Sequence, residues 1–448
     1  MELIKNLYNL SLLFLRGIVV LLLYSLAACF LMLFACFKKS KKSMILWGGD
    51  PLHQKKYWSR IVKELGIESK TLMKIHYSIS EKEDFDLYYD DLIPGLLKRI
   101  RFWQADLGAV LSCRYALRNA AVVHFDFRGA FLSDTPIWFL EARLFKLAKV
   151  KMVVCSYGSD ALMYSRITDP ATKHVLLQQY PQAARRERHI EKRVRYWEQN
   201  ADVIISGMLS YGLSRWDCLP VSLIFFNSDE WQHKEIYSTK NGYDGVVKVS
   251  HASNHRVISG TEFLLRAVEE LRAEGLSIEL ILMENITNKE VKRLIENDSD
   301  IHVGQLGTWT YGLSEIEGMA CGVPVLSSFC QENSVVLRRY SYLNECPILF
   351  TTPETLKENL RILITRPMLR EEMGRAGRKY VEKYHSEDTG KYVFGAIYDK
   401  ILHEKQVDLM NLFNPMISEY NENMKFIRHP LIENKLPSSY VEKNNISS

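Results

Sequence analysis

The segment with the clearest chemical character runs from Gly304 to Ser328 and reads GQLGTWTYGLSEIEGMACGVPVLSS. In it, Gly312 stands directly before a predicted helix, and the free N–H groups of a first helical turn bind anions. A glycine also lets a diphosphate approach the backbone without a Cβ in the way. Glu317 lies about one and a half turns into that helix, where a carboxylate can accept hydrogen bonds from a ribose diol. Taken alone, Glu317 is more typical of a solvated helix side chain.

The whole string resembles the donor-binding segment of GT-B glycosyltransferases of the family-4 type, whose pattern is roughly E-G-x-G-x-x-x-x-E-A-M-A-x-G-x-P-V. The matching positions are Tyr311, Gly312, Leu313, Glu317, Gly318, Met319, Ala320, Gly322, Val323, Pro324 and Val325. The segment also resembles the pattern Q-L-x-x-G-x-Y-G that a bacterial subgroup of this family carries here, through Gln305, Leu306 and Gly307 together with Tyr311 and Gly312.

Three further segments support the resemblance, which covers about Met44 to His403. The family's H-A-P-x-x-R-x-x-K-G-T is matched by His251 to Arg256 (HASNHR) and then by Gly260-Thr261. Weaker matches are Tyr157-Gly158-Ser159-Asp160 and the pair Met373-Gly374 with Tyr384-His385-Ser386.

The resemblance implies a retaining transfer of a sugar from a nucleotide-sugar, with the donor in the C-terminal domain and the acceptor in the N-terminal one. Because the diphosphate leaving group gains negative charge, cations and N–H groups must meet it. The expected catalytic residues are His124, Arg256 and Glu317, although a lone histidine at a strand end is more often structural. The expected donor-binding residues are Gly260, Thr261, Tyr311, Gly312, Leu313, Ser314 and Glu317, and the acceptor-side residues are Gly48, Gly49, Asp126, Ser159 and Asp160.

Two positions depart from the family pattern. The lysine that precedes Gly260 in the family is Ser259 here, and the first glutamate of the E-x7-E pair falls at Trp309. The bacterial subgroup also lacks that glutamate, whereas loss of the lysine removes a phosphate cation that His255 or Lys289 would have to replace. A non-catalytic scaffold or regulator with the same fold, and a sugar-nucleotide epimerase, therefore stay open as alternatives.

The elements that must position these residues alternate between strands and helices, which predicts parallel sheets covered by helices. The predicted strands are 44–47, 120–127, 151–156, 201–206, 245–250, 277–283, 301–303, 323–327 and 348–350. The predicted helices are 57–65, 138–147, 185–199, 260–274, 288–296, 313–320, 371–384 and 390–403. The pattern restarts after a linker, so we expect an α/β chain of GT-B type, with two Rossmann-like domains facing across a cleft.

The predicted boundaries follow from these elements. They are an N-terminal tail (1–16), a transmembrane helix (17–37), an acceptor domain (44–225), a linker (226–244), a nucleotide-sugar domain (245–385), a terminal helix (386–405) and a partly ordered tail (406–448).

Gly17 to Phe37 carries no charge, and 21 helical residues span about 31 Å, the thickness of a bilayer core. Lys38, Lys39, Lys41 and Lys42 follow, so the positive-inside rule predicts a single-pass protein with cytoplasmic catalytic domains, at a bacterial inner membrane. A lipoprotein signal ending at Cys29 is the alternative, but the chain stays apolar beyond that cysteine. A second alternative is a lumenal orientation, in which three N-x-S/T triplets would be glycosylation sites.

The composition is that of an ordinary folded protein of 448 residues, with 47% hydrophobic and 25% charged residues, which excludes a disordered chain. A mean hydropathy of −0.14 excludes a many-pass membrane protein. The net charge of +5 is too small to indicate nucleic acid, and we expect none as a partner. The expected partners are a nucleotide-sugar, a lipid-linked or glycan acceptor, and the membrane.

Basic residues concentrate in two clusters, which suit either solvated helix faces or contact with anionic lipid. These clusters are Arg185, Arg186, Arg188, Lys192, Arg193 and Arg195, and Lys98, Arg99 and Arg101 with Phe102 and Trp103. Two D-x-D triplets, Asp84–Asp86 and Asp298–Asp300, do not end apolar strands, so neither a metal nor a cofactor is expected. The eight cysteines form no C-x-x-C pair and fit reduced core positions.

Overall fold

The computed structural model describes residues 2–36, 43–76, 82–99, 104–207, 212–218, 223–227, 230–308, 310–329 and 340–431, with only the backbone of residues 2–18. The chain forms two compact units. Unit 1 comprises Met1–Cys155 and Lys192–Ile204, and unit 2 comprises Ser156–Glu191 and Ile205–Ser448. The lysines after the apolar segment, Trp309, and Arg101 to Trp103 lie outside the described residues.

Unit 1 is built on a six-stranded sheet in which every described pair is parallel. Its strands are β1 (Met44–Gly49), β2 (Ser69–Met73), β3 (Leu87–Tyr88), β4 (Ala120–Phe125), β5 (Lys151–Cys155) and β6 (Val203–Ile205). Its helices are α1 (Glu2–Cys36), α2 (Gln54–Glu64), α3 (Gln104–Asn119), α4 (Glu141–Leu147) and, beyond the excursion into unit 2, α7 (Glu187–Asn200). The order β3-β2-β1-β4-β5-β6 is that of a Rossmann dinucleotide-binding sheet, with its switch point between β1 and β4.

Unit 2 repeats this architecture with a five-stranded parallel sheet in the order β11-β10-β9-β7-β8. Its strands are β7 (Val247–Ala252), β8 (Ile278–Met283), β9 (Ile301–Val303), β10 (Val325–Ser327) and β11 (Leu349–Phe350). Its helices are α5 (Pro170–Gln179), α6 (Pro181–Arg185), α8 (Arg256–Ser259), α9 (Thr261–Ala273), α10 (Asn288–Asp298), α11 (Leu313–Ala320), α12 (Leu356–Thr365), α13 (Pro367–Tyr384), α14 (Glu387–Leu402) and α15 (Glu419–Glu422). The switch point lies between β7 and β9, where ligands bind in open sheets of this kind.

The strands predicted from the sequence are apolar runs, most of them buried along their length, although β8 is partly exposed. All six residues of β1 and of β4 are buried, as expected of central parallel strands. Strands β2 and β3, helices α3, α5 and α12, and the short helices α6, α8 and α15 were not predicted from the sequence. Strand β2 reads SKTLM, and its first three residues are polar, so the sequence does not show the apolar run of a buried strand. In the structure Ser69 is nevertheless buried, and Trp47 Nε1 donates a hydrogen bond to Ser69 Oγ over 2.9 Å.

The segment Ser156–Glu191 belongs to unit 2, which differs from the predicted acceptor domain of residues 44–225. Leu162, Tyr164, Ile167 and Leu176 form a hydrophobic cluster of their own, and Ile258 of α8 packs against it. The chain therefore leaves unit 1 after β5, covers part of unit 2 and returns along α7.

The C-terminal segment is more structured than the sequence predicted. Residues 409–431 pack onto unit 2, where Phe413 is buried in a cluster of aromatic side chains with Tyr342, Tyr384 and Tyr420. The backbone N–H of Ile427 donates to Glu345, whose carboxylate is also paired with Lys383 over 2.7 Å. The low apolar content of this segment hid these few anchoring residues.

Helix α1 is longer than the predicted span, and Val19–Cys36 within it is long and apolar enough to cross a membrane. A signal sequence or a buried core helix meets the same criterion. Unlike a free membrane anchor, α1 packs against α3 and α4 of unit 1.

Close packing of α13 on unit 2 predicts opposite effects for two glycines in neighbouring helices. A Cβ at Gly374 in α13 would collide with the carbonyl oxygen of Gly322 and would lie 2.8 Å from the Tyr237 ring, whereas a Cβ at Gly395 in α14 meets open space. We expect Gly374→Ala to lower the free energy of unfolding by about 1–3 kcal/mol or more. Gly395→Ala should raise it by about 0.5–1 kcal/mol.

Chemical denaturation of the two variants beside wild type measures both effects. Two variants of equal stability would contradict this packing of α13.

Candidate functional site

The segment around Ser259 and the segment around Leu306, about 50 residues apart in the chain, meet at the carboxyl edge of β7 and β9. The N–H groups of Leu306 and Gly307 donate to the carbonyl oxygens of Ser259 and Ile258, over 3.3 and 2.9 Å. Gly260 has a left-handed backbone (φ +69°), and a Cβ there would lie 2.7 Å from the Leu306 side chain. The two motifs that the sequence singled out therefore form one structure.

A buried carboxylate, that of Glu315, holds the loop between β9 and α11. It accepts hydrogen bonds from the N–H groups of Gln305 (2.7 Å) and Gly312 (2.9 Å) and from the Ser327 hydroxyl (3.1 Å). Gly304 makes room for it, since a Cβ there would collide with the Glu315 side chain. The sequence analysis passed over Glu315, although a glutamate at the third position of a helix is a capping signal.

Glu317, two residues and about half a turn further along α11, points to the other side of the helix and faces α10. It is 6% exposed, and the Asn288 side-chain amide donates to its Oε1 over 3.0 Å. Burial raises the pKa of the Glu317 carboxyl to about 7, and the Asn288 hydrogen bond opposes that rise. Because Asn288 provides one hydrogen bond, to Oε1, the Glu317 carboxylate at this edge is suited to accept a further hydrogen bond from a polar ligand.

The first turn of α11, where an anion site is predicted, differs from the prediction in one respect. Because the Gly312 N–H donates to Glu315, the N–H groups of the first turn that have no acceptor within the helix are those of Leu313, Ser314 and Glu315. The Ser314 hydroxyl is held by His302 Nε2 over 2.7 Å, and His302 Nδ1 is held by Ser250 over 2.8 Å. Burial lowers the pKa of His302 to about 3, so this ring is neutral.

Arg256 is the cation at this edge and lies between two carboxylates, Glu262 at 3.1 Å and Glu284 at 3.6 Å. Two buried polar atoms nearby, Ser253 Oγ and Glu284 Oε1, have no hydrogen-bond partner among the described residues. His255 packs edge-to-face on Tyr180, with ring centroids 5.7 Å apart. Unsatisfied buried polar atoms are costly, and they suit a site that a polar ligand completes.

Two predicted donor-binding side chains are structural instead. Thr261 is fully buried, and its hydroxyl donates to His251 Nε2, whose Nδ1–H donates to the Val303 carbonyl. Tyr311 is also buried, and its hydroxyl hydrogen-bonds His385 (3.1 Å) and Tyr380 (2.9 Å). Both side chains therefore hold the backbone of the site in place through buried hydrogen bonds. This structural role could not be predicted from the motif alone.

In unit 1, Gly48, Gly49 and Asp126 come together at the β1–β4 switch point. A buried lysine that the sequence analysis missed, Lys55, donates to the carbonyl oxygens of Gly48 (2.7 Å) and Asp50 (2.8 Å) and lies 3.6 Å from Asp126 Oδ2. Burial raises the pKa of Asp126 to about 6, against the opposing effect of Lys55. A Cβ at Gly49 (φ +83°) would lie 2.9 Å from the Ala130 carbonyl oxygen.

A second buried glutamate shapes the loop that follows β4. Glu141 accepts hydrogen bonds from the N–H groups of Ala130 (3.0 Å), Phe131 (2.6 Å) and Leu132 (2.7 Å). Arg193, assigned by sequence to a basic surface cluster, is buried below the same loop and donates to the carbonyls of Arg128 and Ser133. That residue is therefore structural rather than lipid-facing.

The position of His124 does not support its predicted catalytic role. The ring is 2% exposed and is stacked on Trp47, with centroids 4.0 Å apart. Burial lowers the pKa of His124 to about 3, so the imidazole is neutral and covered. Ser159 and Asp160 lie in unit 2, where Asp160 accepts hydrogen bonds from the N–H groups of Tyr157 and Gly158 within its own turn.

The D-x-D triplets have structural roles. Asp86 accepts from the N–H and hydroxyl of Thr71, and Asp84 pairs with Lys56 at 3.0 Å. Asp298 and Asp300 both hold Lys248, through its Nζ and its N–H. Within the described part of the chain, no group of three or more His, Cys, Asp or Glu side chains is arranged to hold a metal ion.

Solved structures provide the comparison that decides the fold. HepE (Alr3699) from Anabaena, crystallised in complex with UDP-glucose, matches with a TM-score of 0.51 at 12% identity, over 79% of this chain and 99% of HepE. A glycosyltransferase from Rickettsia africae ESF-5 matches with a TM-score of 0.51 at 15% identity, over 82% of this chain and 100% of its own. The chain has the GT-B fold. No protein-family model matches it, and no curated protein sequence matches it either.

The GT-B fold confirms the predicted fold class, with two parallel-sheet α/β units. In unit 2 the predicted nucleotide-binding edge contains Gly260, Gly312, Leu313 and Ser314, and Glu317 reaches it from inside α11. Because identity to these structures is low, the likeness establishes the fold, and the chemistry rests on this chain's own residues.

The two glutamates of α11 should respond differently to substitution. Glu315→Ala leaves three donors without their acceptor, and we expect it to lower the free energy of unfolding by about 3 kcal/mol or more. Glu317→Ala removes a buried carboxyl with one hydrogen bond and should change that free energy by less than about 1 kcal/mol.

Denaturant titration of both variants, with m values compared, tests this assignment. If Glu317→Ala were the more destabilising of the two, the roles given to these side chains would be wrong.

Proposed function

We propose that this protein is a membrane-attached glycosyltransferase that moves a sugar from a nucleotide-sugar to a lipid-linked glycan acceptor, with retention of configuration. The observation that carries the proposal is the assembly at the carboxyl edge of β7 and β9. There the Gly260 turn, the first turn of α11, Arg256 and the buried Glu317 come from separate parts of the sequence to one edge.

Each group has a chemical task in that reaction. The N–H groups of Leu313 and Ser314 and the Arg256 guanidinium are suited to the diphosphate, which gains charge as the glycosidic bond breaks. Glu317 is suited to accept hydrogen bonds from the ribose diol. The GT-B fold shared with HepE, crystallised with UDP-glucose, supports a nucleotide-sugar as the donor. No step in this scheme requires a metal.

The acceptor belongs to unit 1 in this proposal. Gly48 and Gly49 let the loop after β4 pack closely on β1 at the switch point, since Cβ atoms there would lie 2.7 Å from the Phe131 ring and 2.9 Å from the Ala130 carbonyl oxygen. Beside them, Asp126 carries a carboxyl whose raised pKa, about 6, suits proton exchange with a hydroxyl group. Both Asp126 and His124 are buried, at 1% and 2% exposure. We propose Asp126 as the unit 1 residue that contacts the acceptor hydroxyl, because its Oδ2 has no hydrogen-bond partner among the described residues, whereas the His124 ring is stacked on Trp47. The apolar helix α1 supports an acceptor that resides in a membrane.

Calorimetric titration of the full chain with UDP-, GDP- and ADP-sugars tests the donor assignment. We expect one of these nucleotides to bind, and Glu317→Gln to weaken its binding about tenfold or more, since a charged acceptor to a ribose diol contributes roughly 1.5–3 kcal/mol. Glu371→Gln, on the exposed side of α13, is the matched control and should bind like wild type. Absence of heat with the whole panel would count against the proposal.

The same titration has a predicted pH dependence. Burial holds the pKa of Glu317 near 7, so its carboxyl gains a proton as pH falls from 8 to 6. The protonated oxygen is then a hydrogen-bond donor, and the group can no longer accept hydrogen bonds from the ribose diol through both of its oxygens. Donor affinity of the wild type should therefore fall with decreasing pH in this range, and that of Glu317→Gln should stay nearly flat. Equal slopes for both proteins would remove Glu317 from the donor site.

A non-catalytic scaffold is the second candidate, and a specific observation favours it. Ser259, where the family has a lysine, is 6% exposed, and its N–H donates to the His255 carbonyl within α8. We expect Ser259→Lys to leave donor affinity within about twofold of wild type in an active enzyme, because Arg256 already supplies the cation. A tenfold gain in calorimetric affinity would instead indicate a weakened, vestigial donor site.

A further inference from the structure

The way α1 packs on unit 1 decides how the chain meets a membrane. Four small or apolar side chains, Tyr24, Ala27, Leu31 and Ala35, are each at most 8% exposed. Their spacing of three and four residues places them on one face of the helix. Because α1 packs against α3 and α4, this buried face is the one turned toward unit 1. We call it the inner face.

The opposite side of α1 is apolar and uncovered by any described residue. Leu21, Leu22, Leu26 and Leu33 are 59–70% exposed, and Phe30 is 44% exposed. We call these five residues the outer face. An apolar surface of this extent marks an interaction site, since soluble monomers rarely leave one uncovered.

The two helices that hold α1 carry exposed cations. Arg118 at the end of α3, and Arg143, Lys146 and Lys149 in and after α4, are all exposed. None of the four makes an ion pair with a described residue, and Lys146 donates only to the Asn200 amide oxygen. The Arg114 guanidinium lies over the Phe34 ring at 5.0 Å, so α3 brings positive charge onto α1 itself. In sequence, four more lysines directly follow the helix.

This arrangement conflicts with a helix that crosses the bilayer. If Val19–Cys36 filled the hydrocarbon core, α3 and α4 would enter it with α1, and each arginine or lysine placed there costs about 2.5–3.5 kcal/mol. A helix lying in the interface keeps its apolar side about 5–10 Å deep and leaves flanking cations among anionic headgroups. The second arrangement satisfies both the outer face and the cations.

We propose that α1 lies in the plane of the membrane, with its outer face in the acyl boundary of an anionic leaflet and Arg118, Arg143, Lys146 and Lys149 at the headgroups. This inference rests on the membrane attachment in the proposed function, and it replaces the single-pass expectation by a monotopic one. The N-terminus and both units then lie on the same side of the bilayer.

Topology is the first test. Epitope tags at the two ends of the full chain, in sealed right-side-out and inverted vesicles, report which side each end occupies by protease cleavage. The proposal expects both tags to be cleaved in the same vesicle orientation. Cleavage of the two tags in opposite orientations would establish a span and overturn it.

The lipid contact is the second test, with vesicles of phosphatidylcholine alone or mixed with phosphatidylglycerol. The full chain, diluted from detergent, should co-sediment better with the mixed vesicles. Leu26→Glu combined with Leu33→Glu should reduce co-sedimentation about tenfold or more, whereas Ile236→Glu, at an 88% exposed position in unit 2, should not. Arg143→Glu combined with Lys149→Glu should abolish the preference for phosphatidylglycerol, and Lys405→Glu in unit 2 should leave it unchanged.

Two results would overturn the lipid assignment. One is equal vesicle binding by the outer-face variant and wild type. The other is a wild-type dimer that ignores vesicles and becomes monomeric in the outer-face variant, which would assign the face to a second copy of the chain. Calorimetric donor binding, measured on the variants in unit 1, separates these failures from a failure of the proposed enzymatic function, because those variants leave unit 2 unchanged.

Discussion

Both units depend on a buried glutamate that gathers backbone N–H groups at the carboxyl edge of a parallel sheet. Glu315 draws Gln305 and Gly312 together beside β9, and Glu141 holds three successive N–H groups of the loop after β4. A buried carboxylate is costly unless it is fully hydrogen-bonded, so each one fixes its loop in a single conformation. Glycines such as Gly304 and Gly49 then leave the space that this close packing needs.

This constraint separates residues that build the site from those that are available to a ligand. In unit 2, internal hydrogen bonds occupy the polar side-chain atoms of His251, Thr261, Tyr311 and His385. In contrast, a ligand can still form hydrogen bonds or ion pairs with Glu317, Arg256 and the first N–H groups of α11. The same division holds in unit 1, where Lys55 and Glu141 are internal and Asp126 keeps an unsatisfied oxygen. A short motif therefore mixes ligand contacts with the framework that supports them.

Sequence patterns predicted every strand of the unit 2 sheet and the edge where the site lies, whereas in unit 1 they did not predict β2 and β3. Strand β9 and helix α11 have the bounds that hydrophobic periodicity predicts, because both are short, buried and bordered by glycine. The excursion of Ser156–Glu191 into unit 2 could not be predicted, since it depends on contacts such as Leu176 with its cluster and Ile258. Burial of His124 under Trp47 is likewise a tertiary effect, and so is the inner face of α1, which looks like any apolar span in the sequence.

The proposed function requires a nucleotide site at the carboxyl edge of β7 and β9. A crystal structure of the full chain with the nucleoside diphosphate that binds most tightly tests this most directly. We predict density with the ribose at the Glu317 carboxylate and the diphosphate at the N–H groups of Leu313 and Ser314, within reach of Arg256. Density for the nucleotide at another edge of unit 2, or in unit 1, would contradict it.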